Sequence, residues 1–142
     1  MALKTLHTLI KLHKRRVDVI RREMEALEEE RRQLLDLAEK LKKEHAEEME
    51  RAASDPKIAS FFGAYSRRVK ERQSHIIEEV KRLDGAIDAK SEAIREEFSE
   101  QKKYEIARNL EKKRILEGDR RRQQVRFDEI GAQQYLGKQD NT

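Results

Sequence analysis

Four histidines and 29 Asp and Glu residues, with no cysteine, are the side chains with which this 142-residue chain could do chemistry. His7, His13, His45 and His75 offer no H-E-x-x-H pattern and no imidazole pair at i, i+4, so the spacing of zinc ligands on one helix is absent. Without cysteine there is no thiolate nucleophile, no disulfide framework and no cysteine zinc site. No Gly-rich phosphate loop occurs. Carboxylates on solvated helices lack the pocket that would shift their pKa. The expectation is a non-catalytic protein without metal or cofactor. Two clusters remain that suit recognition: the aromatic group Phe61, Phe62 and Tyr65, and the arginine group Arg114, Arg120, Arg121, Arg122 and Arg126.

The elements that must carry these clusters follow from composition. Charged residues make up 44% of the chain, against about 25% in an ordinary globular protein. Apolar residues are 36%, too few for a compact core, and five glycines with one proline leave little to turn a many-stranded sandwich or barrel. Ala, Glu, Lys, Leu, Arg and Gln dominate, which predicts long helices of coiled-coil type. No stretch approaches the ~18 uninterrupted apolar residues of a membrane span. The basic start, Met1 to Arg16, has the make-up of a transit peptide or a membrane-surface helix. Its apolar spacing nevertheless runs unbroken past Arg16 into Val17 and Ile20. With the absence of cysteine, the expectation is a cytoplasmic protein.

From Leu6, alternating steps of four and three residues give Leu6, Ile10, His13, Val17, Ile20, Met24, Leu27, Arg31, Leu34, Ala38 and Leu41. All but His13 and Arg31 are apolar, which is a sustained a/d seam with charged flanks. The seam weakens at His45 and Glu48 and stops at Ala52-Ala53-Ser54-Asp55-Pro56. There Asp55 is suited to cap a second helix and Pro56 to open it, where a missing N–H costs nothing. The stripe resumes as Ile58, Phe62, Tyr65, Val69, Ile76, Val80, Leu83, Ile87, Ile94 and Phe98, with a stutter around Gln73, and thins beyond Phe98. The expected fold is all-α: a long antiparallel two-helix coiled-coil hairpin with a longer C-terminal helix. Residues 1–142 are read as one domain, with arm one over 3–52, the turn over 53–56 and arm two over 57–137. A bend is possible near Gly118, and 138–142 form a polar tail. Folding back at the turn sets Leu41 against Val69, Leu34 against Ile76, Leu27 against Leu83, Val17 against Ile94 and Leu6 against Tyr104. At about 1.5 Å per residue arm one runs about 75 Å and arm two about 120 Å, so arm two overhangs and needs a partner. A lone hairpin, a dimer of extended helices and a trimer all satisfy the stripe.

Charge is unevenly spread. Residues 1–22 carry a net +6, residues 23–52 a net −5, residues 53–100 a net −1, and residues 101–126 a net +6. In the hairpin register both basic blocks share the end opposite the turn, a field that favours an acidic partner or a polyanion. At the turn, Phe62 and Tyr65 follow the seam, whereas Phe61 lies off it and is a partner-site candidate. Phosphate neutralisation by Arg120, Arg121 and Arg122 would make the chain a nucleic-acid binder. Against this, Glu111, Glu117 and Asp119 interrupt the cluster and no recognisable binding motif accompanies it. A generic coiled-coil scaffold is the other alternative.

The segments LHTLIKLHKRRVDVIRREMEALE, IASFFGAYSRRVKERQ and RRRQQVRFDEIGAQQYL, in that order, resemble the flagellar type III export stalk proteins of the FliJ type and their YscO-like relatives. The resemblance spans nearly the whole chain, and DEIGAQQYL is its least generic part. It implies a coiled coil similar to the central shaft of rotary ATPases. Members of that family sit in the ring of the export ATPase hexamer and help it assemble and work. They also engage the export gate membrane protein and handle export chaperones, placing them in the cytoplasm at the inner-membrane export apparatus. On that resemblance Arg114, Arg120, Arg121, Arg122 and Arg126 would meet the ATPase ring. Phe61, Phe62, Tyr65, Val69, Gln73, Ile76 and Val80 would face the gate, although Val69, Ile76 and Val80 read first as seam.

Overall fold

The computed structural model describes residues 2–140, with backbone only for 139 and 140. The end of the expected polar tail, 141–142, lies outside the described residues, as does Met1. The fold is all-α: α1 spans Leu3–Ser54 and α2 spans Pro56–Asp140, with no strand among the described residues. Asp55 alone separates the helices, a shorter break than the 53–56 expected from the sequence. Helical structure continues through Gly118 and on to Asp140. Among the described residues no helix is long and apolar enough to cross a membrane.

The break at Asp55 has a local cause. Pro56 has no N–H to give to an interior helix bond, so it begins α2 rather than continuing α1. The Asp55 carboxylate accepts the Lys57 amide at 2.9 Å, an N-cap that satisfies one of the open donors of α2. Backbone bonding of helical spacing survives on both sides, from Asp55 N to the Arg51 carbonyl and from Ala59 N to the Asp55 carbonyl, both at 3.0 Å.

The chain divides into two compact units. In the unit Arg16–Glu97, Leu41, Val69 and Ile76 form a buried cluster with Leu34, Leu37, Ala38, Tyr65 and Val80 packed against it. Val17 and Leu83 are also buried. Each such side chain contributes about 1.5–3 kcal/mol relative to exposure. Contacts between the helices follow one order. Arg16 meets Glu97 at 3.9 Å, Glu23 meets Lys90, Arg31 Nε donates to Asp84 at 2.6 Å, and His45 Nε2 lies 2.9 Å from Ser66 Oγ. Partner numbers on α2 fall as numbers on α1 rise. Arg31 therefore fills its seam position with a bond to α2, where an apolar side chain would have packed.

The other unit comprises the chain up to Arg15 and from Phe98 onward. Its buried side chains are Leu6, Ile10, His13 and Gln101. Tyr104, expected opposite Leu6, has its ring stacked on His13, with centroids 5.5 Å apart. Gln101, seven residues after Ile94, takes a buried place that the sequence reading did not give it, while Phe98 is 42% exposed. Strict seven-residue spacing carries the stripe to Gln101 and leaves Phe98 to one side. Gln101 gives its amide N–H to Glu105 at 3.0 Å, and that bond holds the Glu105 carboxyl below its usual range.

Replacing fully buried Leu83 with Ala is expected to lower unfolding free energy by about 2–5 kcal/mol. Leu136→Ala, on an exposed side chain, should change it by under about 0.5 kcal/mol. Urea titrations followed by far-UV circular dichroism measure both, and equal losses would contradict this division of the apolar side chains.

Candidate partner-binding surfaces

Within Arg16–Glu97, the last turns of α1 and the first turns of α2 meet around His45. Its ring lies 5.4 Å from Phe62 and 6.3 Å from Tyr65, and the two aromatic rings are themselves 6.2 Å apart. His45 thereby fills the seam position where the sequence pattern weakens. Phe62 and Tyr65 are half-buried in this cluster, whereas Phe61 is 75% exposed. One residue of displacement turns a side chain by about 100° on a helix, which carries Phe61 off the packed stripe. Phe61 forms a wall of an open groove of about 320 Å³ with Glu48, Ile58, Phe62, Tyr65 and Arg68. The Glu48 carboxylate also accepts a 2.8 Å bond from Arg51.

The remaining residues read as gate-facing divide by burial. Val69 and Ile76 are buried in the core cluster, Val80 packs against it, and Gln73 is half-buried. A partner reaching Val69 or Ile76 must first part the helices. Sequence reading missed three groove residues as surface candidates: Glu48 lies on α1, so only folding sets it beside Phe61, whereas Ile58 and Arg68 share the α2 face of Phe61, three residues before it and seven after. It also passed over Ile77, 56% exposed, whose only signal was its place beside Ile76.

The arginine group lies in the other unit, on α2. Arg114 forks onto Glu111, with Nη2 to Oε1 at 2.7 Å and Nε to Oε2 at 3.1 Å. This bond holds the Glu111 carboxyl below its usual range and raises the Arg114 guanidinium. Arg122 pairs with Asp119. Arg120, Arg121 and Arg126 have no ion-pair partner among the described residues. Arg121, Arg122 and Arg126 surround Val125 in a shallow open depression of about 340 Å³. The structure therefore separates the five arginines. Two are already committed to carboxylates one turn away, and three present free charge.

Every side chain from Lys112 to Lys138 except Gly118 is exposed, including the large apolar ones at Ile115, Leu116, Val125, Phe127, Ile130, Tyr135 and Leu136. At about 100° per residue, Ile115, Val125 and Leu136 share one face. Leu116 and Phe127 occupy the opposite one. A helix resting on a membrane surface or on a single partner helix would gather its apolar residues on one side, and this segment does not. Among the described residues, no group of three or more His, Asp or Glu side chains converges to hold a metal ion.

No protein-family model, curated protein or solved structure matches this chain.

Phe61→Ser is expected to leave unfolding free energy within about 0.5 kcal/mol of the parent. Phe62→Ala should cost about 2 kcal/mol, as its ring is half-buried against His45 and Tyr65. The reverse order in a urea titration would remove Phe61 as an available surface side chain.

Proposed function

We propose that this chain is a non-catalytic coiled-coil component of a bacterial flagellar type III export apparatus, a stalk of the FliJ type. In this reading the two helices form a long antiparallel coiled-coil hairpin whose C-terminal helix outruns its partner. The falling order of α2 partners along α1 supports the antiparallel pairing, through the contacts of Glu23 with Lys90, Arg31 with Asp84 and His45 with Ser66. The segment Lys112–Lys138 supports the stalk role. It is a helix with apolar side chains on opposite faces and three uncommitted arginines, so it calls for a partner that surrounds it and is acidic. That single observation carries the reading, and the ring of an export ATPase hexamer has the required enclosure. The FliJ resemblance supplies the identity of the ring.

In the same reading Arg120, Arg121 and Arg126 contact the ring first. Arg114 and Arg122 join after exchanging their present carboxylates. Phe61 and the groove beside it face the export gate membrane protein, and export chaperones are further partners. The protein works in the cytoplasm, peripherally at the inner-membrane export apparatus. Phosphate binding to a nucleic acid is the second reading, favoured by the same three free arginines. Interleaved Glu117, Asp119, Asp128 and Glu129 oppose it, since they would repel a backbone tracked along the helix.

The purified chain is expected to stimulate the flagellar export ATPase, with stimulation falling as salt rises. Charge reversal at Arg120, Arg121 and Arg126 should reduce it at least tenfold at low salt while leaving helicity intact. Undiminished stimulation by that variant would remove the basic segment as the ring contact. No stimulation by the parent chain, together with salt-dependent retention on nucleic acid, would move the assignment to the second reading.

A further inference from the structure

The connection between the helices is short and contains no element that enforces a reversal. Only Asp55 is non-helical, and no residue between Ala52 and Pro56 is a glycine. No positive-φ residue occurs among the described residues, so the left-handed residue that commonly closes a helix end is missing. Helical bonding reaches into the break from both directions, through Asp55 N to Arg51 O and Ala59 N to Asp55 O. Two devices alone hold α1 and α2 apart as separate helices: the Asp55 cap on the Lys57 amide and the ring of Pro56. Opening the break into one continuous helix recovers backbone bonds at Lys57 and Ile58, and sets against them the clash of Pro56 with the preceding turn.

We propose that a second copy of this chain is a partner, by exchange of α1 about Asp55. Each α1 then packs on the α2 of the other copy. The inference rests on the antiparallel pairing proposed above. In such an exchange every contact between the helices of Arg16–Glu97 is kept, since Leu41 with Val69, Arg31 with Asp84 and Glu23 with Lys90 re-form between copies in the same register. Short connections favour this outcome, because the closed monomer must bend its chain in one residue and the dimer need not. Pro56 sets the balance toward the monomer. The exchanged dimer carries two copies of the basic Lys112–Lys138 segment, so it is bivalent toward any acidic partner.

The chain has no cysteine, so a Glu23→Cys/Lys90→Cys variant carries two thiols at an observed ion pair. It is refolded at a series of protein concentrations, treated with a short bis-maleimide and resolved on a denaturing gel, with light scattering giving the mass. Intrachain linkage at low concentration, passing to interchain linkage as the refolding concentration rises, is expected. Adding Pro56→Ala should raise the dimerisation constant on the order of 10,000-fold, about 100-fold for each of the two interior helix prolines removed per dimer. A flexible four-residue insertion after Ser54 should return the protein to intrachain linkage. Intrachain linkage alone at every concentration overturns the exchange and leaves the pairing intact. Interchain linkage confined to Pro56→Ala overturns it as well, because Pro56 then excludes the dimer. Absence of either linkage overturns the pairing itself, and the exchange with it.

Discussion

The stripe of apolar side chains that recurs every seven residues along α1 has to be covered, and α1 cannot cover it alone. A single helix exposes its whole circumference, so Leu6, Ile10, Val17 and Leu41 reach burial only against a second helix. With so few apolar residues the chain has no alternative core to build, and local propensity by itself stabilises helices weakly in water. Most of the ion pairs among the described residues join residues three apart on the same helix, such as Glu48 with Arg51 and Glu79 with Arg82. They support the helix to which they belong and say nothing about its partner. The pairing is left to the stripe, with a few cross-helix bonds such as Arg31 to Asp84 adding register. Arg31 and Asp84 are each partly exposed, so that bond adds little net free energy. Its effect is on alignment, since a slipped register would leave Arg31 facing the seam without a carboxylate.

How much of this was legible depended on whether the signal was local. The helix break was, because Asp55 and Pro56 act through their own backbones, and no distant residue is needed to explain the cap on Lys57. The grouping of Leu34, Leu41, Val69 and Ile76 followed from period and turn together. Polar residues inside the stripe were harder to read. His13 was recognised as a seam position, but its stacking on Tyr104 was not foreseen, because Tyr104 was aligned with Leu6. Gln101 was passed over because Phe98, three residues earlier, has the more apolar side chain. Spacing outweighed hydrophobicity there, since the helix directs one toward its neighbour and the other aside.

The candidate surfaces were legible as residue types and not as geometry. Phe61 stood out because it falls off the stripe, and its exposure has the same cause. Its groove takes in Glu48 from α1 and Arg68 from α2, and only folding brings those two together. Within the arginine group, sequence gave five equivalent cations. The structure divides them by their neighbours one turn away, where Glu111 engages Arg114 and Asp119 engages Arg122.

The exposed course of α2 from Lys112 to Lys138 bears on how such a sequence drifts. Folding asks of these positions little more than helix propensity and bonds about one turn apart, because their side chains are exposed and bury no core. Substitutions there escape the penalty that a change at Leu83 or Val69 incurs. Among descendants of this chain, the stripe residues should interchange among apolar types of similar volume. Any restraint on Phe127, Ile130 or Arg120 beyond helix-forming ability can then come only from what they touch outside the chain. Comparing the two rates of change would separate selection for folding from selection for contact within one continuous helix.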